Sequence, residues 1–265
     1  MSAPFTLREG DSPLLVSVPH AATFVPAAIA ARLNGTGAVL SDTDWHIDTL
    51  VRRLAGPASL IVAGFHRYVI DANRDPSGQS LYPGQATTEL IPTTDFDGNP
   101  LWRDGEAPTD TDIKQRLADF HTPYHDALAG ELARIKDRHG IAVLFDVHSI
   151  RSKVPRLFDG VLPRFNVGTD GTTTCAPAFE AALEAVCRKA GDTVVNGRFK
   201  GGWTVRHHGR PDDGIHAIQL ELAQAQYMDE TPPFALHDDA KALAETLHGA
   251  AEALTRTATE ARAVS

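Results

Sequence analysis

The chain has 265 residues, with 25 Lys and Arg against 34 Asp and Glu, for a formal net charge of -9. Hydrophobic residues make up 42% and charged residues 22%, an ordinary balance for a soluble globular protein able to bury a sizeable core. The acidic balance argues against a polyanion-binding surface, so no nucleic-acid partner is expected, and no run approaches the roughly 18 apolar residues of a membrane span.

The opening "MSAPFTLREGDSP" has no apolar core of signal-peptide length. The two cysteines, Cys175 and Cys187, sit in no CxxC or zinc-knuckle pattern. A reducing, cytoplasmic setting is therefore expected. Without repeats or low-complexity tracts, residues 1–265 read as one domain.

In chain order, "PLLVSVPH" (13–20) is an apolar, partly β-branched run bounded by prolines, which predicts a strand ending on His20. "WHIDTLVRRLA" (45–55) has helical spacing, with Asp42 or Asp44 as its N-cap. "ASLIVAGF" (58–65) and "YVIDANR" (68–74) read as strands. Residues 75–108 are rich in Pro, Gly, Thr and Asp and too long for a simple connection, so a functional loop is expected there. The helical signal over 109–140 closes at Gly140 and should be kinked or split by Pro123. "IAVLFDVHS" (141–149) suits a central strand buried on both faces. A helix near 176–190, strands at 192–199 and 215–223, and an Ala-rich helix from about 235 to 262 complete the pattern. Alternating strands and helices predict an α/β sandwich with a largely parallel sheet.

Ligands of such sheets gather at the carboxyl ends of strands. The polar residues predicted there are His20, the run Asn73-Arg74-Asp75, the trio Asp146, His148 and Ser149, and Glu221. Asp44 and His46 open the helix that follows the loop after His20. Two imidazoles and a carboxylate suit one divalent metal ion, zinc above all, and a further carboxylate can serve as general base. Asp146 and His148 are two apart and share a strand face, so one can ligate while the other orients it.

His121 and His125 are spaced i, i+4, but they lack the Glu of HExxH and flank Pro123, so a structural role or one lining the site is expected. "RHHG" (206–209), read as extended, would send at most one of His207 and His208 into a pocket. There is no GxSxG nucleophile elbow.

Taken together, "SVPHAATFVP", "SDTDWHIDTLV", "YVIDANRDP", "LYPGQATTELIP", "DVHSI" and "LELAQ" resemble the N-formylglutamate amidohydrolase family over about residues 13 to 230. The resemblance implies a three-layer α/β sandwich, phosphorylase/hydrolase-like and related to zinc carboxypeptidases, with a mixed, mostly parallel sheet and helices on both faces. It also implies a single catalytic zinc and hydrolysis of N-formyl-L-glutamate to formate and L-glutamate, the last step of a histidine degradation route. His20 and His148 match the two histidine ligands of the carboxypeptidases. Thr23 stands where their HxxE motif has its Glu, so the second ligand is expected from "DTDWH" or "DVH": Asp44 first, then His46, then Asp146. Glu221 matches the general base, and Asn73-Arg74 the pair that holds a substrate carboxylate.

A dicarboxylate substrate needs at least two cations, and Arg206 is the second choice after Arg74, ahead of Arg151 and Arg210. Ser149, Tyr82, Thr87 and Thr88 are further substrate-binding candidates. A deacylase of another N-acyl amino acid, or a non-catalytic metal- or ligand-binding member of the fold, are the competing readings. The oligomeric state is not legible.

Overall fold

The computed structural model describes residues 3–52, 56–79 and 87–264. Its strands are β1 (Phe5–Arg8), β2 (Leu14–Val18), β3 (Ser59–Ala63), β4 (Ala142–Ile150), β5 (Phe165–Gly168), β6 (Thr193–Val195) and β7 (Ile215–Ala223). They form one seven-stranded sheet in the order β1-β3-β2-β4-β7-β5-β6. β3, β2, β4 and β7 run parallel; β1 joins β3 and β5 joins β7 antiparallel, and β6 runs parallel to β5. The sheet is thus mixed and mostly parallel, as expected. β4 and β7 are nine-residue strands with every residue buried, the pattern of central strands covered on both faces.

The helices are α1 (Ala27–Ala30), α2 (Ile47–Arg52), α3 (Asp110–Arg116), α4 (Thr122–His139), α5 (Pro177–Ala190), α6 (Trp203–His208) and α7 (Ala240–Val264). Strand residues alternate between two apolar layers. Leu14, Val16, Val18, Val143, Phe145, Val147, Ile218, Leu220 and Leu222 pack with residues of α2, α5 and α7. Leu15, Ala142, Leu144, Ile215 and Ala217 face the other way, against Tyr124, Leu128, Leu132 and Ile135 of α4.

Several boundaries differ from the sequence reading. "YVIDANR" is no strand: Val69 N donates to His66 O and Arg74 N to Asp71 O, so the apolar run is a largely buried series of turns. Neither Asp42 nor Asp44 caps α2 through its side chain; Asp42 accepts from Phe96 N and Asp44 turns into the site described below. The 109–140 helix is split, as Pro123 requires, but by a π-helical turn over Leu117–His121 in which Thr122 N donates to Leu117 O. Thr109 and Asp112 form a capping box at its start, and Gly140, at φ 76°, ends it in the left-handed conformation. "RHHG" lies mostly in α6 rather than an extended segment, so His207 and His208 do not alternate across a strand. β1, β5 and α6 were not foreseen. Among the described residues no helix is long and apolar enough to cross a membrane.

Candidate metal and substrate site

On the α4 side of the sheet, each central strand begins apolar and ends polar. β2 runs Leu15, Ser17; β4 runs Leu144, Asp146, His148; β7 runs Ala217, Gln219, Glu221. The helix covers the apolar ends, and the polar ends line up beyond it at the carboxyl edge. His20 follows β2 by two residues, and Asp44 N donates to His20 O, which ties the two loops together.

His20, Asp44 and His148 converge there, all buried. His148 Nδ1 lies 3.2 Å from His20 Nδ1 and 3.3 Å from Asp44 Oδ2, and His20 Nδ1 lies 3.8 Å from that oxygen. Ligands about 2.0–2.1 Å from a tetrahedral zinc stand about 3.3 Å apart, so this donor set fits such an ion. Carboxylates fix the rings from behind. His20 Nε2 donates to Asp71 Oδ1 (2.8 Å) and His148 Nε2 to Asp146 Oδ2 (2.8 Å). A carboxylate only accepts, so each Nε2 carries hydrogen and each Nδ1 is turned inward. Asp146 is held in turn by Ser17 Oγ (2.6 Å), which is hydrogen-bonded to the Tyr124 hydroxyl.

The cluster draws in positive charge. Arg67 Nη2 reaches both His20 Nδ1 (2.6 Å) and Asp44 Oδ1 (2.8 Å). Burial opposes the charge on Asp44, yet Arg67 and the two histidines hold its carboxyl below the usual range. Burial and Arg67 lower His20. Burial would also lower His148, but Asp146 and Asp44 hold it well above its ordinary value. A metal ion at Nδ1 of these rings would therefore displace a proton from His148 and take His20 from Arg67.

Glu221 stands directly opposite His148 in the β4–β7 register and is reached by Gln219 Nε2 (3.3 Å). Burial pushes its carboxyl up to about 7, against the pull of His148 and with a further rise from Asp44. A carboxylate poised near neutrality beside a metal-ligand set can act as a general base.

These groups open onto a cleft with about 590 Å³ of empty space, part of it open to solvent. Arg67, Asn73, Arg74, Arg198, Ser149 and Thr88 are among its lining residues. Asn73 Oδ1 accepts from Thr204 N (2.9 Å), and a Cβ on Gly202 would sit 2.1 Å from Asn73 Nδ2, so only glycine fits there. Arg74 is braced by Thr88 O (2.9 Å) and Thr88 Oγ1 (2.7 Å). Ser149 N donates to Asp44 Oδ2 (3.1 Å), while its hydroxyl is bonded to Gln224 and Tyr227. Thr87 also lines the cleft; Tyr82 lies outside the described residues.

Other expectations are corrected. Arg206 is not among the residues lining the cleft: its guanidinium lies against Asp170 (3.1 Å) and donates to Gly201 O (3.1 Å). Arg198 lines the cleft instead, with its Nε on Leu157 O (2.6 Å). Arg151 pairs with Asp97 and Arg210 with Asp213. His46 faces away, donating to Phe234 O (2.7 Å) from a left-handed backbone at φ 65°. Asp146 stands behind His148 rather than in the convergent set. Arg67 and Asp71 were missed, although a carboxylate inside the apolar run "YVIDANR" was a usable signal.

The model of the family described as N-formylglutamate amidohydrolase matches residues 12–228. The chain belongs to the N-formylglutamate amidohydrolase family. It is 48% identical over 244 residues to an N-formylglutamate deformylase of Pseudomonas aeruginosa, covering 90% of this chain and 91% of the relative. A Pseudomonas putida protein of the same name is 45% identical, covering 90% of each chain. Among solved structures, an N-formylglutamate amidohydrolase from Ralstonia eutropha superposes with a TM-score of 0.80 at 23% identity, over 99% of this chain and 100% of that one. A gene product of Agrobacterium tumefaciens gives 0.73 at 18% identity, over 96% of each. These two likenesses establish a shared fold for the family's mixed sheet and its flanking helices.

Proposed function

We propose that this chain hydrolyses N-formyl-L-glutamate to formate and L-glutamate, as a single catalytic domain holding one divalent ion, zinc in the first instance. The observation that carries this reading is the convergence of His20, Asp44 and His148 at the wall of a cleft lined by Glu221 and three arginines, of which Arg67 pairs with His20 and Asp44 while Arg74 and Arg198 lie beyond the metal set. The curated relatives named N-formylglutamate deformylase support the substrate. A product glutamate suits the closing step of histidine degradation.

The substrate carries two carboxylates and a formamide. Arg74 is assigned to one carboxylate, since a planar guanidinium matches it with paired hydrogen bonds. Arg198 replaces Arg206 as the second cation. Asn73, beside Arg74, completes the carboxylate site, and Ser149 and Thr88 offer hydroxyls on its walls. When bound, zinc supplies Lewis acidity and a water of lowered pKa. Glu221 takes a proton from the water that attacks the formyl carbon and then delivers it to the leaving nitrogen as the C–N bond breaks. General-base assistance of this kind contributes typically about 10²–10⁴-fold. Arg67 places fixed positive charge beside the oxygen that becomes negative, and removal of one such donor costs on the order of 10²–10³-fold.

The test is release of the free amino acid from a panel of N-formyl, N-acetyl and N-succinyl amino acids, with formate measured for the N-formyl members, using chelated and zinc-restored protein. N-formylglutamate should be the preferred substrate, and activity should return with metal. No formate release from zinc-restored protein would overturn the reading; preference for another acyl group would make the chain a different N-acyl amino acid hydrolase.

A further inference from the structure

α3, the π-helical turn and α4 form one arm lying along the buried turns of residues 67–75, and three of its side chains reach carbonyl oxygens of that segment. Arg116 Nη1 donates to Val69 O (3.0 Å), His125 Nε2 to Ala72 O (2.7 Å) and His121 Nε2 to Arg74 O (3.0 Å). All three side chains are buried. Their alignment depends on the π turn. Five residues along a regular α-helix end about 140° round from the start, so His121 would leave the face of Arg116. An i→i+5 turn over Leu117–His121 returns it to that face, and His125 follows one α turn later.

The gripped segment carries site residues. Asp71 orients His20, and Asn73 and Arg74 line the cleft. Ala72 O and Arg74 O, on either side of Asn73, are the two carbonyls held by histidine. We propose that His121 and His125 are positioning residues that set the pose of Asn73 and Arg74, and so the binding of the substrate carboxylate, through the backbone of residues 72–74.

The partners also fix the tautomers. A carbonyl only accepts, so both histidines carry hydrogen on Nε2. His125 Nδ1 is then an acceptor and takes a hydrogen bond from His208 Nε2 (3.0 Å). A protonated His125 would set two donors face to face. Burial lowers His121 and His125, in keeping with neutral rings.

The inference rests on the reading of Arg74 as a carboxylate-binding residue. The experiment compares His121→Gln, which keeps an N–H near the Nε2 position, with His121→Phe, which removes it, and repeats the pair at His125. The expected result is a KM for N-formylglutamate raised at least tenfold in the Phe variants, kcat within about threefold of wild type, unchanged zinc content, and substantial rescue by Gln. Two-dimensional ¹H–¹⁵N spectra of the imidazoles should show both rings neutral and protonated on Nε2. If Phe and Gln behave alike, or if either ring is protonated on Nδ1, the positioning role is overturned. The spectra do not depend on turnover. Wild-type protein that releases no formate while showing the expected tautomers would therefore count against the proposed substrate and leave the backbone grip standing.

Discussion

His148 and Glu221 face each other across neighbouring parallel strands, paired residue for residue in the register of β4 and β7. The sheet therefore sets the separation between a metal-ligand candidate and the carboxylate proposed as base, with no loop between them. Glu221→Gln preserves shape and removes the base. It should retain stoichiometric zinc and lose about 10²–10⁴ in kcat. Turnover close to wild type in a formate-release assay would remove Glu221 from that role.

Replacing His20, Asp44 or His148 by Ala should abolish stoichiometric zinc, measured by metal analysis after dialysis. The affinity should also depend on pH. His148 is held above its ordinary pKa, so the proton that competes with metal binds more tightly than on a free imidazole. Zinc affinity should accordingly fall as pH is lowered below that raised value and level off above it. An affinity flat between pH 6 and 9 would contradict this.

Asp71 and Asp146 stand behind the two rings rather than in the ligand set. Asp71→Asn and Asp146→Asn should each weaken zinc by about 10–100-fold without abolishing the site. Complete loss of zinc from Asp146→Asn, with Asp44→Ala retaining it, would exchange the roles of the two carboxylates. Competition with a calibrated chelator distinguishes these outcomes.

Arg74→Ala and Arg198→Ala should each raise KM for N-formylglutamate. The Arg that holds the side-chain carboxylate is identified by substrate. Its Ala variant should leave KM for N-formyl-alanine nearly unchanged, whereas loss of the Arg on the α-carboxylate raises both. Arg206→Ala should leave both KM values within about twofold, because Arg206 lies against Asp170 away from the cleft lining.

Away from the site, Asp112 accepts from Arg32 Nη1 (2.6 Å) and from Thr109 N (2.7 Å) in the α3 capping box. Its hydrogen bond with Arg32 is the main cause that holds its carboxyl well below the usual range, against the opposing effect of partial burial. A depressed carboxyl contributes stability above its unfolded pKa of about 3.9 and loses it as pH falls toward the folded value. Asp112→Ala should cost about 0.5–1.5 kcal/mol at pH 7, through loss of its hydrogen bonds from Thr109 N in the capping box and from Arg32. The gap in Tm between variant and wild type should narrow as pH drops from 5 toward 3; a constant gap would exclude the charge as its source.

The parts of the fold written in long apolar runs were legible. β4 and β7 are buried on both faces, so their sequences are nearly continuous in apolar residues, and His148 and Glu221 stood out against that background. β1 and β5 are four residues long, and their pairing is supplied by neighbours distant in sequence, which no local pattern records. "YVIDANR" misled because burial without strand geometry produces the same composition as a strand. Asp44 was ranked first among three candidates from chain proximity; its position against both histidines depends on the loop after β2 folding back, where Asp44 N bonds His20 O. Arg206 and Arg198 are eight residues apart and chemically alike, and only the path of the chain around Gly201 and Gly202 separates them.

The two-residue rhythm of β4 also makes the enzyme sensitive to frame rather than to composition. Val143, Phe145 and Val147 belong to one apolar layer, while Asp146 and His148 point to the opposite face. A single residue inserted between Phe145 and Asp146 would exchange these destinations if strand pairing were kept upstream. It would drive an imidazole and a carboxylate into the layer beneath α7 and present valine to His20. Two inserted residues would restore the facing but move His148 about 7 Å along the strand, past Glu221. Point substitutions at neighbouring positions of β4 are therefore expected to be far better tolerated than any change in its length.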